Sequence, residues 1–165
     1  MSDTISYCHS GTIGDVIASL PAIRQGFRKS GKKAILYLKK DMPYSKPYEG
    51  AVPPTKNEYG DAVMLSEAII NMLMPLLKAQ TEYIEDVLIH GDEVIEVDLD
   101  DIRKTYVAMG RFPLQRNYFL VFPQLACSLC EPWLSVPDAD KDLATGKIII
   151  SRTERYLNQT IKYEF

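Results

Sequence analysis

Residues 9–15, His-Ser-Gly-Thr-Ile-Gly-Asp, gather an imidazole, two hydroxyls, two glycines and a carboxylate into one short stretch. They stand between a strand-like run, 4–9, and a segment in which Val16, Ile17, Leu20, Ile23 and Phe27 recur at helical spacing. A glycine turn opening a helix presents unpaired backbone N–H groups, and open α/β sheets hold ligands at such turns, outside the carboxyl ends of their strands. The chain has neither the dinucleotide pattern GxGxxG nor the P-loop pattern GxxxxGKS/T, because Gly11 and Gly14 are the only glycines here. A tight turn needs its glycines but does not need Asp15. A first-turn carboxylate is favoured by the helix dipole by ~0.3–1 kcal/mol, which is a sufficient structural reason for it. The same group, facing a hydroxyl, has the chemistry of a general base. Both readings of Asp15 stand at this point.

The elements that would position this turn can be read along the chain. Gly31 closes the 15–29 helix and residues 32–41 supply a second strand, so the first 41 residues form a βαβ unit and favour a parallel sheet. Residues 42–60 hold four prolines and two glycines without apolar periodicity and read as a long loop. The spacing predicts a helix over 61–80 with a bend before Pro75. Strands at 85–90 and 93–98 flank His90-Gly91-Asp92 and are expected to be joined by a tight turn, with His90 a turn residue. A short helix is expected after residue 99, and an aromatic helix over 114–130, broken near Pro123. Trp133, the single tryptophan, is expected to anchor the following segment, and residues 147–152 read as a strong strand. The expected fold class is α/β: strands near 4–9, 34–38, 85–90 and 147–151 in one Rossmann-like, mainly parallel sheet with helices on both faces.

Composition narrows the function classes. With 165 residues, the chain suits one well-buried domain. A formal net charge of −3, with no basic block, gives no footprint for nucleic acid. No apolar run approaches the ~20 residues of a membrane span, and the first ten residues lack the blocks of an export signal, so a cytoplasmic location is expected. Three cysteines, Cys8, Cys127 and Cys130, argue against a disulfide framework. Cys127 and Cys130 form a CxxC, but the two histidines lack zinc-finger spacing, so no metal is expected and the cysteines read as small hydrophobes at a helix end.

The stretch HSGTIGDVIASLPAIRQ resembles the N-terminal signature of heptosyltransferase-like, family-nine glycosyltransferases, in which a strand leads through a glycine-aspartate turn into a helix containing Leu-Pro-Ala. Leu20-Pro21-Ala22 carries weight because a proline inside a helix costs ~3 kcal/mol, so propensity would not choose it. The resemblance is strongest over residues 5–26, and KIIISRTERY, 147–156, resembles the strand that enters the second half of such enzymes. It implies a GT-B fold, two Rossmann-like halves across a cleft, with this chain as the N-terminal, acceptor-side half. Residues 1–146 would form that domain and 147–165 the start of, or linker to, a second one. The chain would then be incomplete as a catalyst alone, either a piece of a longer enzyme or a natural half-length protein. The implied partners are a glycan acceptor and a nucleotide-sugar donor, the donor held mainly by the other half, with no cofactor.

Carried over onto this chain, Asp15 matches the catalytic base and Gly14 the glycine beside it. His9 stands where the group usually has arginine or lysine. The candidate substrate-binding residues are His9, Gly11, Thr12 and Gly14 around the turn, Lys39 at the end of the second strand, and Arg152 at the end of the last. Lys39, Lys40 and Asp41 could meet an anionic acceptor or form a solvated charge cluster, and Arg152 with Arg155 could grip phosphate or mark the exit from the domain. Two rival classes remain: a Rossmann-like module that binds a small anion or nucleotide without catalysis, and an interaction domain that uses the 42–60 loop as its contact surface.

Overall fold

A computed structural model describes residues 3–44, 55–104 and 113–136. Its centre is a sheet of four parallel strands, β1 (Thr4–His9), β2 (Lys33–Leu38), β5 (Ile84–Ile89) and the short β6 (Val97–Asp98), in the order β5-β2-β1-β6 and flanked by helices. This is the expected Rossmann-like α/β architecture. Residues 33–38 alternate less than a one-sided strand would, since Ala34, Leu36, Tyr37 and Leu38 are all buried, as suits an inner parallel strand.

Helix α1 (Ile13–Ser30) starts directly after the glycine turn and packs Val16, Leu20 and Ile23 into the core with Leu36, Ile70 and Val87. Its end is set by Gly31, at φ 72°, whose N–H returns to the Phe27 carbonyl at 2.7 Å. A side chain there would strain the left-handed backbone. Pro21 lies buried inside α1, and the helix continues through it.

The expected 61–80 helix is shorter. α2 (Glu67–Lys78) begins after Ser66, whose hydroxyl accepts the Ile69 N–H at 3.4 Å. Pro75 lies inside α2, near its end. Ala62–Val63 instead forms β4, antiparallel to β3 (Thr55–Lys56), so Asn57–Gly60 is a hairpin turn rather than open loop. The local cause is the run Val63-Met64-Leu65, all buried, which cannot lie on one face of a helix.

A second correction concerns β5 and β6. They are not partners across a tight turn but the two opposite edges of the sheet. Residues 90–96 carry the chain across, and Ser6 receives it: its Oγ donates to the Val94 carbonyl at 3.2 Å, and the Glu96 carboxylate accepts the Ser6 N–H at 2.8 Å. Beyond β6 lie a 3₁₀ turn (Leu99–Arg103), α3 (Leu114–Val121) and a second 3₁₀ turn (Pro123–Leu125), so the aromatic segment does break at Pro123. Trp133 packs against the core and its carbonyl accepts the Tyr83 hydroxyl at 3.1 Å, while Gln80 clasps the backbone of Ser135 at 2.7 and 2.8 Å. This segment is anchored, as expected. The expected strand at 147–152, Arg152 and Arg155 lie outside the described residues. Among the described residues, no helix is long and apolar enough to cross a membrane.

Candidate functional site

The chain runs β1, β2, β5 in one direction across the sheet and then returns to the other side of β1 to make β6. The order therefore reverses between β1 and β6, and ligands of open α/β sheets bind in the crevice outside the carboxyl ends at such a reversal. Residues 9–15 leave β1 at this point, and Asp98 and the Leu99–Arg103 turn leave β6 beside them.

Asp15 occupies the third position of α1. Its Oδ2 accepts three hydrogen bonds: from the Thr12 N–H at 2.8 Å, the Thr12 hydroxyl at 3.0 Å and the Arg103 guanidinium at 2.7 Å. No described residue donates to Oδ1. Among the described residues the carboxylate is thus anchored through one oxygen only, on a side chain 14% exposed.

Beneath it lies a buried network. The His9 ring is fully enclosed, with Nδ1 accepting the Gly11 N–H at 2.8 Å and Nε2 2.6 Å from the Tyr118 hydroxyl. A backbone N–H pointing at Nδ1 requires a lone pair there, which places the ring hydrogen on Nε2, facing Tyr118. Tyr118 in turn donates to the Asp15 carbonyl at 2.9 Å. Asp100 Oδ1 lies 3.1 Å from the same Nδ1, so a second proton on the ring would be received by Asp100 in place of Gly11. Tyr118 stays a donor, because burial, with the Asp15 charge in second place, pushes its hydroxyl far above the ordinary tyrosine range. Tyr118→Phe should cost about 1–3 kcal/mol in chemical denaturation, since it leaves the enclosed His9 ring without its partner.

Burial opposes the charge on Asp100, but the neighbouring His9 ring and the hydrogen bond from the Ser10 N–H outweigh it and hold this carboxyl well below the ordinary carboxylate range. A carboxyl whose value is depressed by folding stabilises the fold fully above its unfolded value near 4 and loses that contribution as the pH falls through its folded value. Asp100→Asn should therefore cost about 2 kcal/mol at pH 7. The gap between variant and parent, measured by urea unfolding across pH, should shrink below about pH 4.

No protein-family model matches the chain, and no curated protein or solved structure is significantly similar to it. The site therefore rests on its own geometry. Of the residues singled out from the sequence, Gly11, Thr12, Gly14 and Asp15 come together at the turn. Gly11 has no room for a side chain: a Cβ would lie 2.5 Å from the His9 ring, 2.6 Å from the Asp15 Cβ and 2.7 Å from the Arg103 guanidinium. Gly14 is different, since its nearest neighbour to a Cβ would be the Thr12 hydroxyl at 3.9 Å. His9 supports the turn from below and does not reach the surface. Lys39 faces Asp98 at 3.5 Å and Asp100 at 3.8 Å. Partial burial disfavours its charge, but Cys8, Asp98 and Asp100 outweigh that and raise its value.

Sequence reading missed Asp100, Arg103 and Tyr118. The run Asp98-Leu99-Asp100-Asp101, placed directly after a strand, was the available signal for the first. Cys127 and Cys130 are free thiols in an irregular segment after the second 3₁₀ turn, not on a helix end. Burial, the first cause, pushes the Cys127 thiol up and away from a reactive thiolate. Among the described residues no group of His, Cys, Asp and Glu is arranged to hold a metal.

Proposed function

We propose that this chain is the acceptor-side domain of a GT-B glycosyltransferase similar to the heptosyltransferase-like group, with Asp15 as general base. In this reading an acceptor hydroxyl attacks the anomeric carbon of a nucleotide-sugar held by a second Rossmann-like half. The new C–O bond forms as the bond to the donor phosphate breaks, the nucleotide leaves with its electron pair, and the hydroxyl proton passes to Asp15 Oδ1.

The observation that carries the reading is the asymmetry of Asp15: Oδ2 takes three donors while Oδ1 takes none from the described residues. A residue serving only to cap a helix has no need of Arg103 from the far side of the crevice. A base has such a need, because a carboxylate held through one oxygen keeps the other aimed at its proton. The open space at Gly14 adds support, since no atom of the described residues requires a glycine there. The test is transfer by the full-length protein with and without Asp15→Asn, read as nucleotide released and glycan formed. Undiminished transfer by that variant would return Asp15 to a capping role.

A further inference from the structure

The two faces of α3 are used differently. Asn117 and Tyr118 are buried, and Tyr118 reaches the Asp15 carbonyl. Arg116, Phe119 and Leu120, three and four positions apart, share the other face and line a cavity of ≈ 400 Å³. The irregular segment after the second 3₁₀ turn supplies its other wall through Cys127, Leu129 and Cys130. The volume falls within the ~300–1,000 Å³ of small-molecule sites, and the lining has their character, mostly apolar with a few polar groups.

The polar groups decide the class of ligand. The Ser128 hydroxyl accepts the Cys130 N–H at 3.2 Å, and the Cys127 thiol donates to the Pro21 carbonyl at 3.6 Å. Arg116 is exposed, pairs with no carboxylate among the described residues, and meets none in the lining of the cavity. It also stands in the first turn of α3, where the helix dipole favours acids and disfavours a cation, and that turn holds no acid. Helix stability therefore gives no reason for an arginine here. A planar guanidinium beside an apolar wall matches a carboxylate carried on an alkyl chain: the fork takes both oxygens, and the chain displaces water from Phe119, Leu120 and Leu129. Inorganic phosphate has no apolar part to bury and would meet a single cation. A neutral alkyl ligand would leave the guanidinium without an anion.

We propose that this cavity binds an alkyl monocarboxylate of the medium-chain fatty-acid class, with Arg116 holding the carboxylate and the apolar wall holding the chain. The cavity alone carries this, whether or not the protein is part of a transferase. The test is an amide-resonance NMR titration of the 165-residue chain with octanoate, below its micelle-forming concentration, and separately with hexanoate, 1-octanol and inorganic phosphate. Octanoate should produce saturable shifts at Arg116, Leu120, Ser128 and Cys130, and phosphate should leave these residues unmoved. Hexanoate should bind about fifteenfold more weakly, since each buried methylene is worth about fourfold in affinity. Octanol, which keeps the chain and lacks the charge, should bind about tenfold more weakly. Arg116→Gln should bind octanoate no better than octanol, with a urea midpoint equal to or above that of the parent because a cation leaves the first turn. Leu120→Glu changes a side chain that is 57% exposed, so the fold should persist, while the new carboxylate on the wall should abolish octanoate binding. Absence of saturable shifts, equal affinity of the parent for octanol and octanoate, or parent-like binding by both variants would overturn the proposal. So would sedimentation of the chain with phosphatidylglycerol vesicles that Arg116→Gln abolishes, which would give this face to a membrane surface instead.

Discussion

On the reading proposed above, Asp15→Asn is expected to lower sugar transfer by the full-length protein by ~10²–10⁴-fold, the range associated with removing a positioned general base. Asparagine has the size of aspartate and retains a carbonyl oxygen that can accept from Thr12 and Arg103, the partners that hold Oδ2. The position of Oδ1 then carries an amide nitrogen, which cannot take a proton. The loss should therefore fall on kcat, and donor affinity should hardly move, because that reading assigns the donor mainly to another half. Folding should lose little, the helix-dipole contribution being worth at most about 1 kcal/mol. Single-turnover rates, with circular dichroism to check the fold, separate the two effects. A variant that is inactive because it is unfolded would contradict this account as surely as one that is fully active.

The two glycines of the turn should respond in opposite ways. Gly11→Ala forces a methyl group against the His9 ring, the Asp15 Cβ and the Arg103 guanidinium at once. Arg103 is half-exposed and can retreat, but His9 is enclosed and held at both nitrogens, and Asp15 is fixed by the helix. Overpacking of this kind costs about 1–3 kcal/mol, and the upper end is expected here because two of the three neighbours cannot move. Gly14→Ala meets nothing closer than 3.9 Å among the described residues. It should leave stability unchanged or raise it by about 0.4–1 kcal/mol through the unfolded chain. Urea midpoints of the two variants measure this contrast. Loss of transfer in Gly14→Ala, with stability intact, would then report on contact with a ligand at the turn.

The sequence by itself determined the βαβ opening. Strand β1, the glycine turn, the face of α1, its stop at Gly31 and β2 are all specified within 38 residues by periodicity and turn chemistry, which are local properties of the chain. It also placed Asp15 at the mouth of the turn. The start of α2 is not legible in composition, because Val63-Met64-Leu65 continues the apolar content of the helix without its spacing, and the cap is Ser66 beyond that run. The pairing of β5 and β6 is not a local property, because a strand's partner is chosen by the whole sheet: two runs flanking His-Gly-Asp look like a hairpin, yet one pairs with β2 and the other with β1. What surrounds Asp15 was decided by tertiary structure alone. Arg103 and Tyr118 reach it from 88 and 103 positions away, and Asp100 reaches the Ser10 amide from 90. No local pattern records such distances. They follow from the sheet order reversing beside β1, which brings the end of β6 against the first turn of α1 and so lets Arg103 fix one oxygen of Asp15.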